Sequence, residues 1–115
     1  MSTFSSYQTA TGTTAIYPGA ADPESIMGLS YAAMGLANEA GEVLGKVKKI
    51  IRDNDGVITA EHRENIAKEL GDTLWYLAQV ATQIDYPLSL IAQENLDKLA
   101  DRAERGVLQG SGDNR

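Results

Sequence analysis

The chain has no cysteine, which excludes disulfides, thiolate-bound zinc and a cysteine nucleophile. It carries a single histidine, and no convincing Ser-His-Asp set can be assembled around it. A Walker-type glycine loop is missing as well, the GSGDN stretch near the C-terminus being too short to cradle phosphates. No apolar run approaches the roughly 18 residues of a membrane span. The opening MSTFSSYQTATGTT has neither the basic nor the apolar region of a secretory signal. The expectation is a cytoplasmic protein with no membrane partner.

Positive charge is also in short supply. Ten Lys and Arg stand against 16 Asp and Glu, a formal charge of -6. Affinity for a nucleic-acid backbone comes mainly from cationic side chains, so general nucleic-acid binding is not expected. An anionic ligand would need a cation brought with it. Aromatic residues make up only 6% of the chain while 43% is hydrophobic, much of it Ala and Leu. That composition suits one soluble helical domain spanning residues 1–115, long enough to bury a real core.

The pattern of apolar residues supports an all-α fold. Residues 1–21 form an N-terminal segment in which Ser2 is positioned to cap a short helix up to about Ala15. Asp22-Pro23-Glu24 then provides a cap, a proline at the first helical position and an acid in the first turn. The spacing predicts a helix from Pro23 to about Arg52, with a buried stripe of Leu36, Ala40, Val43, Leu44, Val47, Ile50 and Ile51. Asp53-Asn54-Asp55-Gly56 stops it. Thr59 caps a second helix to about Ile84, its stripe being Ile66, Leu70, Leu74, Leu77, Ala81 and Ile84. A third runs from Pro87 or Leu88 to Arg105 with Leu88, Ala92, Leu96, Leu99 and Ala103 inward, and Gly106 ends it. Residues 107–115 read as a polar tail. The short 53–58 connection makes the two long helices antiparallel neighbours in a bundle.

One nonapeptide pattern occurs twice, thirty residues apart: ANEAGEVLG from Ala37 and AKELGDTLW from Ala67. Each copy carries two carboxylates three residues apart, Glu39 with Glu42 and Glu69 with Asp72, around Gly41 or Gly71. At 100° per residue both pairs flank their apolar stripes with the same sense, so antiparallel packing lets four carboxylates converge at one edge of the seam. A single E-x-x-E is ordinary on a solvated helix face. Duplication in register, with glycine and leucine preserved, is not. Four like charges need counter-charge, and oxygen donors alone favour Mg²⁺, with Mn²⁺ as a substitute. A di-iron centre needs Glu-x-x-His, whereas Thr59 stands three residues before His62. Gly41 and Gly71 each cost about 1 kcal/mol in a helix, a cost that close helix approach or ligand clearance would explain. His62 reads as a surface residue.

Around the acids lie other groups suited to a nucleotide. Lys46, Lys48, Lys49 and Arg52 follow the first carboxylate pair, and the competing explanation for them is a Glu42–Lys46 pair with cations at a helix C-terminus. Asn95, Lys98, Arg102 and Arg105 share a stripe of the last helix, where Glu94–Lys98 and Asp101–Arg105 pairs would equally explain them. Trp75 and Tyr76 lie one turn beyond Asp72 and could stack on a base or simply pack.

These segments, YAAMGLANEAGEVLGKVKK, ENIAKELGDTLWYLA and the ending NLDKLADRAERGVLQGSGDNR, resemble the MazG-like all-α nucleoside triphosphate pyrophosphohydrolases over most of the chain. The resemblance implies Mg²⁺ on Glu39, Glu42, Glu69 and Asp72; hydrolysis then asks a carboxylate, Glu39 or Glu42, to orient or deprotonate the attacking water. The resemblance also implies Asn95 and Lys98 as phosphate or sugar contacts, Tyr76 as a pocket residue, Arg102 as a further contact, and Gln8 of a Tyr7-Gln8 element reaching the base; Lys49 and Trp75 are candidate substrate contacts from their positions beside the acids. It implies conversion of an NTP or dNTP to the monophosphate and pyrophosphate, in a homodimer or homotetramer that completes a four-helix-type core. A narrower substrate (dUTP, dCTP, an oxidised nucleotide or an alarmone) and a non-catalytic helical interaction module are the alternatives.

Overall fold

The structure is a computed structural model that describes residues 2–113. It contains four α-helices and no strand among the described residues: α1 (Phe4–Thr11), α2 (Ile26–Asp53), α3 (Ala60–Gln83) and α4 (Leu88–Glu104). A single 3₁₀ turn, Gly12–Thr14, follows α1. The all-α expectation holds.

The helix boundaries show local chemistry at work. Thr3, not Ser2, caps α1, exchanging hydrogen bonds with Ser6. The first long helix starts three residues later than its proline suggested, at Ile26. Asp22 accepts hydrogen bonds from the Glu24 and Ser25 amides and closes a turn there, so Ser25 becomes the cap and receives the Gly28 amide at 3.0 Å. Thr59 caps α3 as expected, with His62 completing the capping box. Asp55 and Gly56, both at positive φ, carry the chain from α2 to α3.

Glu39 meets Glu69, Gly35 meets Tyr76, and Lys46 shares a cavity with His62. Position numbers therefore fall along one helix as they rise along the other, which makes α2 and α3 an antiparallel hairpin, and this pair makes the main tertiary contact. Ala32 and Ala78 are fully buried, small enough to let the chains approach closely. The core also holds polar groups. Tyr17 donates its hydroxyl to Gln79 at 2.7 Å and to Gln83 at 3.0 Å, Gln79 donates to Thr11, and Gln83 bonds the 21–22 backbone. Tyr17 is thus a core residue, and the network locks the N-terminal segment onto α3.

The apolar stripes are the main departure from expectation. Within one chain Ile50, Ala81 and Leu88 are buried, but Leu44 is 70% exposed, Ile51 66%, Leu70 53% and Leu96 60%. Two helices and a short α1 present only one covering side, and α4 touches α3 only briefly. The accessible surface is 7977 Å², against about 6,100 Å² for a folded monomer of this mass. The radius of gyration is 17.0 Å, against about 13 Å for a compact domain of this length. The expected burial of these stripes therefore does not hold within one chain, where only Ile50, Ala81 and Leu88 of their members are buried.

Candidate metal centre

Three carboxylates converge at mid-hairpin. Glu39 from α2 and Glu69 and Asp72 from α3 offer oxygen atoms that all lie within 4.8 Å of one another, Glu39 and Glu69 half-buried and Asp72 exposed. Helix periodicity explains the arrangement: Glu69 and Asp72 are one turn apart on one face, and antiparallel pairing sets Glu39 opposite them. Glu42 stands outside this cluster, exposed, yet near enough to act on Glu39 electrostatically.

The electrostatics single out Glu39. The Glu39 carboxyl is held above the ordinary glutamate range, by burial first, then by its hydrogen bond with Glu69 and the charges of Asp72, Glu69 and Glu42. A divalent cation would reverse that balance. Ligand oxygens at about 2.1 Å from an octahedral Mg²⁺ lie about 3 to 4 Å apart, a spacing that falls inside the 4.8 Å within which the three carboxylates lie. The donor set is all oxygen, so the residues fit Mg²⁺ or Mn²⁺.

An aromatic wall stands beside the carboxylates. Glu39, Asp72, Trp75, Tyr76 and Thr14 line a cleft of about 360 Å³. Trp75 donates its indole N–H to Thr14 at 3.0 Å and meets Tyr76 edge-on, ring centroids 5.0 Å apart. Tyr31 stacks on Tyr17 at 4.8 Å and lies 6.5 Å from Tyr76. The Tyr76 hydroxyl has its pKa raised by burial, then by Tyr31 and by the charges of Glu39 and Asp72. Tyr7 is raised by burial and then by Asp72, so α1 also approaches the acids. Thr14, Tyr31 and Gly35 carried no signal that sequence reasoning used, since nothing in their local pattern announces a neighbour sixty or forty residues away.

The other expected ligand contacts are dispersed. Lys49 lines a separate cavity at the closed end of the hairpin. Asn95 and Lys98 line a hollow of about 310 Å³ with Tyr86 and Glu94. Arg102 is 4% exposed, and with Lys98 it binds the Asp113 carboxylate, at 3.2 and 3.1 Å. Glu94 accepts from the Tyr86 hydroxyl rather than pairing with Lys98, while Asp101–Arg105 does form. Gln8 sits at the α3–α4 junction: its amide donates to the Tyr86 carbonyl at 3.0 Å and accepts from the Leu88 amide at 2.8 Å. It supplies the cap that Pro87 lacks. Within the single chain no close helix approach accounts for Gly41 and Gly71, because a Cβ on either would meet nothing within 4 Å. His62 is half-buried and bonded to the Thr59 amide rather than free on the surface.

Comparison with known proteins places this geometry in context. The family model described as the MazG nucleotide pyrophosphohydrolase domain matches residues 29–107, a span that holds all four acids and both aromatic residues of the cleft. The chain is similar to the Gene 37 protein of Mycobacterium phage L5, at 62% identity over 109 residues, covering 95% of this chain and 96% of that protein. No solved structure matches.

Proposed function

Because the chain belongs to the MazG nucleotide pyrophosphohydrolase family, we propose that it hydrolyses a nucleoside triphosphate, ribo or deoxy, to the monophosphate and pyrophosphate. The observation that carries this reading is the convergence of Glu39, Glu69 and Asp72 within 4.8 Å beside Trp75 and Tyr76. An acidic cluster alone would repel a polyphosphate; an acidic cluster that fits a divalent cation, next to an aromatic cleft, suits both ends of a nucleotide.

In this reading Glu39, Glu69 and Asp72 hold Mg²⁺, with Glu42 at the margin. The bound ion would neutralise phosphate oxygens, stabilise the departing pyrophosphate and acidify a coordinated water. Glu42, outside the cluster, orients the attacking water and accepts its proton. Water adds at the α-phosphorus, the bond to the α–β bridging oxygen breaks, and pyrophosphate leaves with that oxygen. Trp75 and Tyr76 face the nucleoside end, where a stacked base replaces solvent on their rings. A cytoplasmic setting, where nucleotides and Mg²⁺ abound, belongs to the same proposal.

Self-association is part of it. Leu44, Ile51, Leu70 and Leu96 are more than half exposed in one chain, and the surface exceeds that of a closed monomer. A second copy presenting the same apolar stripes supplies a complementary cover in a closed two-fold arrangement, as a dimer or a pair of dimers.

The test is a panel of NTPs and dNTPs incubated with the protein and Mg²⁺, products resolved by chromatography. Monophosphate and pyrophosphate from at least one nucleotide, dependent on Mg²⁺, is the expected result. No turnover of any nucleotide together with no Mg²⁺ binding would remove the proposal and leave a helical interaction module.

A further inference from the structure

The cleft beside the carboxylates is walled in part by a residue that belongs to neither long helix. Thr14 ends the 3₁₀ turn after α1 and lines the cleft with Glu39, Asp72, Trp75 and Tyr76. It lies outside residues 29–107, the span that defines family membership, so membership assigns it no role. Its hydroxyl accepts the Trp75 indole N–H at 3.0 Å and donates to the Thr11 carbonyl at 3.3 Å. A threonine hydroxyl has one hydrogen, so giving it to Thr11 leaves a lone pair for the indole. The indole has one donor, and Thr14 takes it. A ligand at Trp75 therefore meets the ring and not its N–H.

The segment that carries Thr14 is anchored on both sides. Thr11 is buried and accepts from the Gln79 side chain at 2.8 Å, while Tyr17 donates to the same Gln79 at 2.7 Å. Gln79 is one turn beyond Trp75 on α3. The N-terminal segment thus grips α3 at two successive turns, through Gln79 in the core and through Trp75 at the cleft. Ring packing alone does not settle the indole's orientation. Tyr17 and Tyr76 both meet Trp75 edge-on, with centroids 6.4 and 5.0 Å away, but the terminal torsion of tryptophan has broad wells that such contacts leave open. A hydrogen bond is directional and selects one of them.

We propose that Thr14 is a positioning residue: it fixes the Trp75 indole in one orientation beside the carboxylates and so sets how well the cleft binds the nucleoside end of its ligand. The inference rests on the hydrolase reading and deepens it. It makes the N-terminal segment, which contributes no carboxylate, a determinant of affinity. Because Thr14 acts through Trp75 at the nucleoside end and not at the phosphorus, its loss falls on KM and spares kcat.

Trp75 is the only tryptophan in the chain, so its indole N–H gives a single cross-peak in the ¹H–¹⁵N spectrum of the full chain. In the unmodified chain this proton exchanges with water more slowly than that of free tryptophan. Thr14→Val keeps the side-chain shape, removes the hydroxyl, shifts the peak upfield and speeds the exchange; Thr14→Ser keeps both near the parent values. With Mg²⁺ and a nucleotide that the parent turns over, Thr14→Val raises KM about fivefold, the factor expected for one neutral hydrogen bond, and leaves kcat unchanged. Thr14→Ser restores the parent KM. Thr13→Val is the control, since the Thr13 hydroxyl bonds the Ala10 carbonyl at 2.7 Å in the same turn; it moves neither the peak nor KM, whatever it costs in melting temperature. Indole exchange as fast as in free tryptophan, a peak or a KM unmoved by Thr14→Val, or an equal effect of Thr13→Val overturns the positioning role while Mg²⁺-dependent hydrolysis stands. A peak that responds to Thr14 in a chain that turns over no nucleotide removes the hydrolase reading, and the effect on ligand affinity with it, while the Thr14–Trp75 bond stands.

Discussion

Gly35 and Tyr76 are so close across the α2–α3 seam that a Cβ built on Gly35 overlaps the Tyr76 ring. The glycine lets α2 pass directly over the aromatic that walls the carboxylate cleft, and Ala32 and Ala78, both fully buried, border the same approach. Alanine gains about 1 kcal/mol in helix propensity over glycine, but overpacking here costs about 1 to 3 kcal/mol. Gly35→Ala is therefore expected to lower the melting temperature and to raise KM by displacing Tyr76, with kcat less affected. A Gly35→Ala protein more stable than the parent would show that Tyr76 rotates away freely.

The acids can be tested separately from the fold. Glu69→Gln and Asp72→Asn keep side-chain size while removing charge from the cluster. Each is expected to leave the helical circular dichroism intact, to abolish Mg²⁺ binding and to lower kcat by two orders of magnitude or more, about the several kcal/mol a bound metal supplies. Full activity in both variants would take the metal assignment away from this cluster.

The raised Glu39 carboxyl makes a signed prediction about pH. Its folded state holds the proton more tightly than the unfolded chain, because burial, Glu69 and the neighbouring charges oppose ionisation. Its contribution to stability is fully present below the ordinary glutamate pKa and is lost as pH rises through the higher folded value. Metal-free protein should thus lose melting temperature, through this group, from about pH 4.5 upward. Glu39→Gln should flatten that part of the profile, and Mg²⁺ should stabilise more at pH 7.5 than at pH 5. A parent and a Glu39→Gln profile of the same shape would contradict the origin assigned here.

Gln8 offers a contrast between anchoring and ligand contact. Its amide joins the Tyr86 carbonyl and the Leu88 amide, groups that have no side-chain cap otherwise. Gln8→Ala leaves both partners unmatched and should cost about 1 to 3 kcal/mol. The expected signature is a lower melting temperature with the ranking of nucleobases unchanged; a changed ranking with unchanged stability would assign Gln8 to the base pocket instead.

Leu44, 70% exposed in the single chain, tests the assembly. Light scattering is expected to give at least twice the 12.3 kDa chain mass for the parent. Leu44→Glu, which places a charge on the shared apolar face, should reduce it toward the monomer. A monomeric parent would remove the self-association proposal.

The amino-acid sequence by itself determined the helices, their caps at Thr59 and Gly106, and the duplicated acid pattern, because each depends on residues within a turn or two of one another. It also ordered the groups along the hairpin, since antiparallel pairing follows from a short connection. Tertiary structure alone decided which acids meet: Glu39, Glu69 and Asp72 converge while Glu42 stays outside the cluster, a matter of helix rotation that periodicity resolves only coarsely. It alone brought Thr14 to Trp75 and Gln8 to Leu88, contacts across sixty-one and eighty residues. And it alone revealed that the apolar stripes outrun what one chain can cover, because burial depends on what lies opposite a face, and a sequence pattern describes only the face.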